Sequence, residues 1–328
     1  MKRIITLDKE NQLCIAVYHL GYESQGEGSV FILYAEEKKV LYSAVIDCFE
    51  DEQCNITDEI LQEWDLKECI DLFIWTHPHD DHSIGIQKII ESYCDAKTKI
   101  CLANVFNNPS DFSKVVQENI RYLKGLNYRK TVKNKWKINS LGHFPEVLDE
   151  RYFNGTESSI QRLVVQCISP FPEIGGIGAN SRIDCNMIGI ACVIKVEQKN
   201  ENINFLFAGD MEQYTIEALI KEDNDSIPTV YNYIKIPHHG SSNAEKMIEF
   251  LKLDGGVRSE FASTSVFKGK NLPKKDILKL YKTIVEDVAC TSDIMSDTYG
   301  KGVIRLIYNL TQQEVEVTYF GTATSIAI

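Results

Sequence analysis

The sequence predicts a layered α/β protein, because β-type apolar segments alternate with amphipathic helical segments and both halves of the chain repeat this pattern. In the N-terminal part, strands are predicted at 14–20, 29–34, 39–46 and 70–75, and helices at 57–68 and 84–93. In the C-terminal part, strands are predicted at 163–169, 188–196, 204–208 and 230–236, helices at 212–222 and 244–251, and a hairpin from 303–310 and 314–320.

Helical spacing supports the two early helices. The first has acidic residues in its opening turn and apolar side chains at Ile60, Leu61 and Trp64, which suits the positive end of a helix dipole and one buried face. The second repeats isoleucine at helical spacing before Tyr93. The strand before it ends at Trp75, so the residues between them are predicted to form a strand-to-helix loop.

Composition limits the class of protein. The 328 residues contain 44% hydrophobic residues, and their 35 Lys and Arg against 47 Asp and Glu give a net charge of −12. We expect one domain over 1–328 with an insertion or elaborated layer at about 104–178. The acidic balance argues against a protein that coats nucleic acid with its whole surface.

The apolar runs and the cysteines indicate a compartment. No apolar run reaches the roughly 20 residues of a membrane helix, and the first residues do not resemble a signal peptide, so we expect no membrane association and a cytoplasmic location. The ten cysteines form no C-x-x-C pair, which predicts reduced core residues.

A cluster of histidine and aspartate follows the strand at 70–75. It reads Thr76-His77-Pro78-His79-Asp80-Asp81-His82 and holds three of the seven histidines of the chain. Imidazole nitrogens and carboxylate oxygens are ligands for zinc, manganese or iron, so this loop predicts a metal site.

The pattern H-x-H-x-D-H resembles the signature of the metallo-β-lactamase superfamily, with Asp80 at a free position. Further landmarks follow in the family's order: Asp47 after an early strand, Asp210 after Phe205 to Gly209, and His238 and His239 in P-H-H-G-S. The resemblance extends from about residue 12 to the C-terminus and implies a four-layer αββα metallo-β-lactamase-like sandwich with a middle insertion.

Within the superfamily, the P-H-H-G-S segment resembles the hydrolase domain of ComEC-type DNA-uptake (competence) proteins. That branch opens with a G-Q-G-D-like turn, and Gly26-Glu27-Gly28-Ser29 stands at the equivalent place. Ser29 replaces the expected aspartate, and Cys48 stands where a glycine is common.

The resemblance implies two divalent metal ions, zinc or manganese. His77 and His79 would hold one ion, and Asp81, His82 and one of His238 or His239 the other, with Asp210 between them and His239 preferred over His238. The predicted catalytic residues are Asp81 and His238, the latter as proton donor to the leaving oxygen when it is not a ligand.

Two further residues are predicted beside the metals. Asn186 stands where many members of the superfamily have a histidine, and it is predicted as a weak ligand that makes the first site less selective for zinc; His143 is the alternative. Asp47 is predicted to orient a ligand histidine.

A basic run without acidic residues extends over 121–138. Its cations are interleaved with aromatic residues, which predicts a nucleic-acid interface, and the alternative is a solvated surface. The predicted interface residues are Arg121, Lys124, Arg129, Lys130, Lys133, Lys135 and Lys137.

Three functions are consistent with these patterns. The first is a dinuclear phosphodiesterase or nuclease acting on nucleic acid or another phosphodiester, which the P-H-H-G-S segment and the basic run favour. The second is a hydrolase of a small ester, thioester or lactam, because fold and metal do not fix the substrate. The third is a non-catalytic module that binds a partner and retains the metal site, against which the open, carboxylate-rich ligand set argues.

Overall fold

The computed structural model describes residues 4–7, 12–51, 54–66, 70–103, 110, 112–128, 137–140, 144–154, 160–171, 184–199, 201–222, 225–253, 257–294 and 300–327. Within these ranges the chain forms two mixed β-sheets with helices on their outer faces.

The strands of the described residues are divided between the two sheets. The first eight are β1 (Ile4–Thr6), β2 (Cys14–Gly21), β3 (Gly26–Ala35), β4 (Lys39–Phe49), β5 (Leu72–Trp75), β6 (Lys99–Leu102), β7 (Lys137–Ser140) and β8 (Val147–Asn154). The others are β9 (Arg162–Ser169), β10 (Ala191–Glu197), β11 (Asn202–Phe207), β12 (Tyr233–Lys235), β13 (Ser259–Thr264), β14 (Val285–Cys290), β15 (Gly302–Asn309), β16 (Glu314–Gly321) and β17 (Thr324–Ser325).

In the described residues, one sheet has eight strands in the order β16-β15-β2-β3-β4-β5-β6-β7 and the other has nine in the order β1-β8-β9-β10-β11-β12-β13-β14-β17. The main helices are α1 (Ile56–Glu63), α2 (Ile86–Tyr93), α3 (Lys114–Tyr128), α4 (Gln213–Glu222), α5 (Lys246–Leu251) and α6 (Lys275–Lys282). Helices α1 to α3 cover the eight-stranded sheet, and α4 to α6 cover the nine-stranded sheet.

The central core lies between the two sheets. Alternate residues of β2, β9, β10 and β15 point into it, as the two-residue period of a strand requires. Phe31 of one sheet meets Phe205 of the other edge to face, with ring centroids 5.3 Å apart. With one helical layer outside each sheet, the arrangement is the αββα sandwich that the sequence predicts, and the prediction of fold class is confirmed.

Parallel pairing brings the ends of several strands to one edge. Strand β5 runs parallel to β4, and β11, β12 and β13 run parallel to one another. The loops that leave their carboxyl ends therefore meet along one side of the sandwich, where α/β sheets commonly bind ligands.

Several element boundaries differ from the sequence expectation. The strand expected from 188 begins only at Ala191, because residues 185–188 form a 3₁₀ turn. Within the stretch 104–178, α3 lies in an outer layer, β7 belongs to one sheet, and β8 and β9 belong to the other. That this stretch is an insertion stays a prediction.

The described residues bear on two further expectations. No helix among them is long and apolar enough to cross a bilayer. All nine described cysteines are free thiols.

Candidate metal centre

The predicted ligands come from loops at the shared sheet edge. His77, His79, Asp81 and His82 follow β5, Asp210 follows β11, and His239 follows β12. Apart from His79, which is partly exposed, all of them are buried. Residues more than 150 positions apart in sequence thus lie within a few ångströms of one another.

One group of donor atoms comprises His77, His79 and Asp210. Nε2 of His77 lies 3.0 Å from Nδ1 of His79 and 3.9 Å from Oδ2 of Asp210. One donor atom from each residue lies within 4.8 Å of the others, close enough for all three to bind one ion.

A second group comprises Glu27, His82, Asp210 and His239. Nε2 of His82 lies 3.5 Å from Oδ1 of Asp210 and 3.8 Å from Oε2 of Glu27. Asp81 adjoins this group, since its Oδ2 lies 3.2 Å from Nε2 of His239 and 3.8 Å from Nε2 of His82. Asp210 is common to both groups: its Oδ2 lies 3.9 Å from Nε2 of His77 and 3.8 Å from Nε2 of His239, and its Oδ1 lies 3.5 Å from Nε2 of His82.

Asp47 and Thr76 fix two of the imidazoles. The backbone N–H and the hydroxyl of Thr76 donate to the two carboxylate oxygens of Asp47, at 2.8 and 2.6 Å. Because that hydroxyl proton is used, Oγ1 of Thr76 accepts from Nδ1 of His77 at 3.0 Å. Nδ1 of His82 donates to Asp47 at 2.8 Å. Both rings are thereby held with Nε2 directed into the site, the arrangement that orients metal-ligand histidines.

Ser265, the residue after β13, fixes the third imidazole. Its Oγ lies 2.7 Å from Nδ1 of His239 and donates to Oε1 of Glu27 at 2.5 Å. His239 must then donate from Nδ1, which leaves its Nε2 to face Asp81. A carboxylate–hydroxyl–imidazole chain therefore orients His239 from behind.

Burial leaves the two histidines of the first group neutral. It lowers the pKa of His77 and of His79, and the neighbouring charge of His82 acts in the same direction. Both imidazoles are therefore in the unprotonated form that a metal ion requires.

The second group has the opposite electrostatics. Burial by itself would lower the pKa of His82 and of His239. The carboxylates of Asp210 and Asp81 nevertheless raise the pKa of His82, and those of Glu27 and Asp210 raise the pKa of His239. Nε2 of His82 is buried and makes no hydrogen bond to any described residue. Such a buried nitrogen, surrounded by carboxylate oxygens, suits a cation, and the donor set fits a divalent metal ion.

We expect the metal-free protein to lose stability as the pH rises. A histidine whose folded pKa is raised stabilises the fold below its unfolded pKa of about 6.5, and this contribution is lost as pH rises through the folded pKa. For His82 and His239 the loss is at most about 1.4 kcal/mol per pH unit for each residue. Denaturant unfolding at about pH 7 and about pH 8.5 measures it, and an increase in unfolding free energy with pH would contradict the assignment.

Sequence reasoning missed three charged residues of the site, Glu27, Lys235 and Glu212. Nζ of Lys235 donates to the carbonyl of Gly209 at 2.8 Å and lies 3.3 Å from Oδ1 of Asp210 and 2.6 Å from Oε2 of Glu27. Burial opposes the charge of Lys235, but Glu27 and Asp210 raise its pKa. The lysine therefore remains an ammonium ion that holds the two carboxylates in place.

His238 lies at the mouth of the site. Its Nδ1 is 2.8 Å from Oε1 of Glu212 and its Nε2 is 4.0 Å from Oδ2 of Asp210. The contact with His238 lowers the pKa of Glu212, which is therefore a carboxylate at neutral pH. Asn186 donates to the same Oε1 at 3.0 Å, so it adjoins the site through Glu212.

The backbone that carries the two adjacent histidines is strained. His238 and His239 both have positive φ, 47° and 50°, in the left-handed region that non-glycine residues rarely adopt. Such residues cost on the order of 1–3 kcal/mol each and persist where the surroundings enforce them, commonly at functional sites. Here the N–H of His238 donates to the Gly209 carbonyl at 3.1 Å, and the N–H of Ser241 donates to the His238 carbonyl at 2.9 Å.

The predicted nucleic-acid residues are only partly described. Arg121 and Lys124 lie on α3, and the side chain of Lys137 in β7 is not described. Arg129, Lys130, Lys133 and Lys135, and the alternative ligand His143, lie outside the described residues.

Helix α3 directly contacts the loop between β5 and α2, here called the histidine loop because it carries His77, His79 and His82. Nδ2 of Asn119 donates to the carbonyl of Ser83 at 2.6 Å, and Ser113 contacts Asp80 just before the helix begins. The helix that carries Arg121 and Lys124 is therefore joined to the loop that carries the predicted ligands.

Removing the Ser265 hydroxyl should weaken metal binding. Losing the group that orients a ligand histidine typically costs 10- to 100-fold in affinity, so we expect a loss of about that size for one ion in Ser265→Ala. Calorimetric titration with Zn²⁺ measures it, with Ser263→Ala as a matched control because Ser263 contacts His19 and Tyr233 rather than His239. Equal affinities in Ser265→Ala and the wild type would show that the hydroxyl does not orient the ligand.

The fold and the site define a four-layer α/β protein with a buried cluster of histidines and carboxylates able to hold metal ions. No protein-family model and no curated protein matches the chain. Among solved structures, the chain is similar to the metallo-β-lactamase SMB-1 bound to 2-mercaptoethanesulfonate, with 11% identity, a TM-score of 0.36, and coverage of 73% of this chain and 85% of that one.

Two other solved structures are also similar. Unliganded yeast PDE1 has 11% identity and a TM-score of 0.43, with 82% of this chain and 93% of that chain covered. A metallo-β-lactamase from Hirschia baltica has 16% identity and a TM-score of 0.29, with 82% and 94% covered. At identities this low, the function has to be inferred from the residues of the site rather than from the similar structures.

Proposed function

We propose that this chain is a metal-dependent hydrolase of the metallo-β-lactamase superfamily that cleaves phosphodiester bonds with two divalent ions, zinc or manganese. One observation carries the proposal: two groups of donor atoms overlap at a single residue, Asp210. A carboxylate common to two adjacent ligand sets would place two ions close together, as in a dinuclear centre. The P-H-H-G-S segment favours the competence-type branch.

His77, His79 and Asp210 would hold one ion, and His82, His239, Asp210 and Asp81 the other, with Glu27 beside them. Two bound ions would supply an activated water and stabilise the charge that develops on the attacked group. The protein keeps the ligand set ready for them, because Asp47, Thr76 and Ser265 fix the imidazoles through hydrogen bonds at their other nitrogens.

His238 is proposed to deliver a proton to the leaving oxygen. Glu212 faces its Nδ1, so that Nε2 is turned toward Asp210 and the reacting centre. A leaving alkoxide needs a proton as the bond breaks, and a positioned imidazole is the side chain best suited to supply it near neutral pH.

An activity panel tests the proposal. The purified chain, loaded with Mn²⁺ or Zn²⁺, is assayed on bis-p-nitrophenyl phosphate, plasmid DNA, a thioester series and a β-lactam. We expect hydrolysis of the phosphodiesters that a chelator abolishes and added metal restores. Hydrolysis of a thioester or lactam without phosphodiester hydrolysis would favour a small-molecule hydrolase instead, and metal binding with no hydrolysis at all would favour a non-catalytic module.

A further inference from the structure

A lysine-rich loop outside the predicted basic run adjoins the metal centre. Residues 267–275, here called the lysine loop, connect β13 to α6 and leave the same sheet edge as His239. The loop carries four lysines: Lys268, Lys270, Lys274 and Lys275. No acidic residue occurs from 261 to 275, although the chain as a whole has a net charge of −12.

Contacts fix the loop against the site. The ring of Phe267 packs edge to face on the imidazole of His239, with centroids 5.5 Å apart. The N–H of Lys274 donates to the carbonyl of Gly240 at 3.0 Å. Gly240 has a φ of +71°, and a Cβ there would lie 2.8 Å from Cβ of Pro273, so only glycine permits this approach.

Three lysine cations of the loop, those of Lys270, Lys274 and Lys275, are available to a ligand. Nζ of Lys270 lies 4.7 Å from the centroid of the Phe267 ring, so its charge is held one ring away from His239. Within the described residues, no carboxylate oxygen lies within 4.0 Å of Nζ of Lys270, Lys274 or Lys275, whereas Lys279 further along α6 is paired with Asp276 at 3.7 Å. Lysines 268, 274 and 275 also line a concavity of about 180 Å³.

We propose that the lysine loop binds the phosphate backbone of a nucleic-acid strand whose scissile bond lies at the metal centre. The inference rests on the phosphodiesterase proposed above and extends it to a polymeric substrate. A strand that leaves the site past His239 meets the cations of Lys270, Lys274 and Lys275, whereas the net charge of the remaining surface repels it. A small phosphodiester ends before it reaches them.

The test is a binding titration of the metal-loaded full chain with a fluorescent single-stranded DNA 20-mer whose phosphorothioate linkages resist cleavage. In Lys270→Glu/Lys274→Glu, two lost phosphate contacts should reduce the salt slope of log K by about 1.4 and weaken binding about 25-fold at 0.1 M salt. Lys270→Gln/Lys274→Gln, which introduces no repulsion, should lower the slope in the same direction.

Lys38→Glu/Lys39→Glu is the matched control. It changes the net charge equally but lies at the far turn of β3 and β4, roughly 26 Å along the strand from Asp47. Binding that weakens equally in the control and the loop variants, or in neither, overturns the proposal, as does a wild type that does not bind the 20-mer. The titration needs no hydrolysis, so a protein that binds the strand but leaves bis-p-nitrophenyl phosphate intact refutes only the phosphodiesterase.

Discussion

Replacing Asp210 with alanine is expected to reduce phosphodiester hydrolysis by roughly 10³-fold or more. Asp210 is the one residue common to both donor groups, so its loss removes a ligand from each ion. The charge stabilisation that metal ions supply is worth several kcal/mol, and each 1.36 kcal/mol of barrier is a tenfold change in rate. His79→Ala, which removes a ligand from one group only, should also abolish useful activity.

Two variants control for folding in this experiment. Asp210→Asn keeps the shape of the side chain beside Lys235 and should be almost as inactive, while Asp276→Ala removes an almost fully exposed carboxylate and should retain wild-type activity. Steady-state rates and metal content are measured on the same samples. Near-normal turnover by Asp210→Ala without bound metal would refute the metal-dependent mechanism.

Replacing His238 with asparagine is expected to slow kcat by about 10²- to 10⁴-fold on substrates with a poor leaving group, the range typical of general acid catalysis. The p-nitrophenolate of bis-p-nitrophenyl phosphate leaves readily and needs little protonation, so its hydrolysis should fall much less. Glu212→Gln should show a smaller loss with the same dependence on leaving group, because Glu212 acts by orienting His238.

Metal content distinguishes a proton donor from a ligand at this position. If His238 is the donor, His238→Asn binds as much metal as the wild type. Loss of one ion together with equal losses on both substrates would instead make His238 the ligand, in place of the neighbouring His239.

Local pattern indicated a metal site at the histidine and aspartate cluster after β5, whereas Asp210 and His239 were expected as ligands from the family resemblance. His77, His79, Asp81 and His82 lie within six residues, and Asp210 and His239 each follow a buried strand, so sheet topology alone brings them to one edge. Their spatial convergence agrees with the ligand set expected from sequence. The roles assigned to them remain predictions.

The residues that support the ligands carry a weaker signal. Glu27 stands between two glycines, 50 residues before His77, where nothing nearby in the sequence suggests a buried carboxylate. Strand alternation provides a signal: Glu27 shares a face of β3 with Phe31, and Lys235 shares a face of β12 with Tyr233. A charged residue on the inner face at a strand end indicates a site, but only once the inner face has been identified.

The prediction of elements omitted the region 259–290, and it also omitted β6, α3, β7 and β8. The region 259–290 contains β13, α6 and β14, yet β13 is a short segment rich in serine and threonine, Ser259–Thr264, which lacks the apolar run used to recognise the other strands. Its pairing with β12 and β14, rather than its own composition, makes it a strand. Ser265 and the lysine loop come directly after β13, so without this strand the sequence could not place them beside the site.

Anomalous diffraction from crystals of the full chain soaked in Mn²⁺ tests the central claim most directly. The account predicts two peaks about 3.5–4 Å apart, the separation usual for two-metal sites, with Asp210 bound to both, His77 and His79 to one, and His82 and His239 to the other. A single peak, or two peaks that do not share Asp210, would contradict a dinuclear centre at this sheet edge.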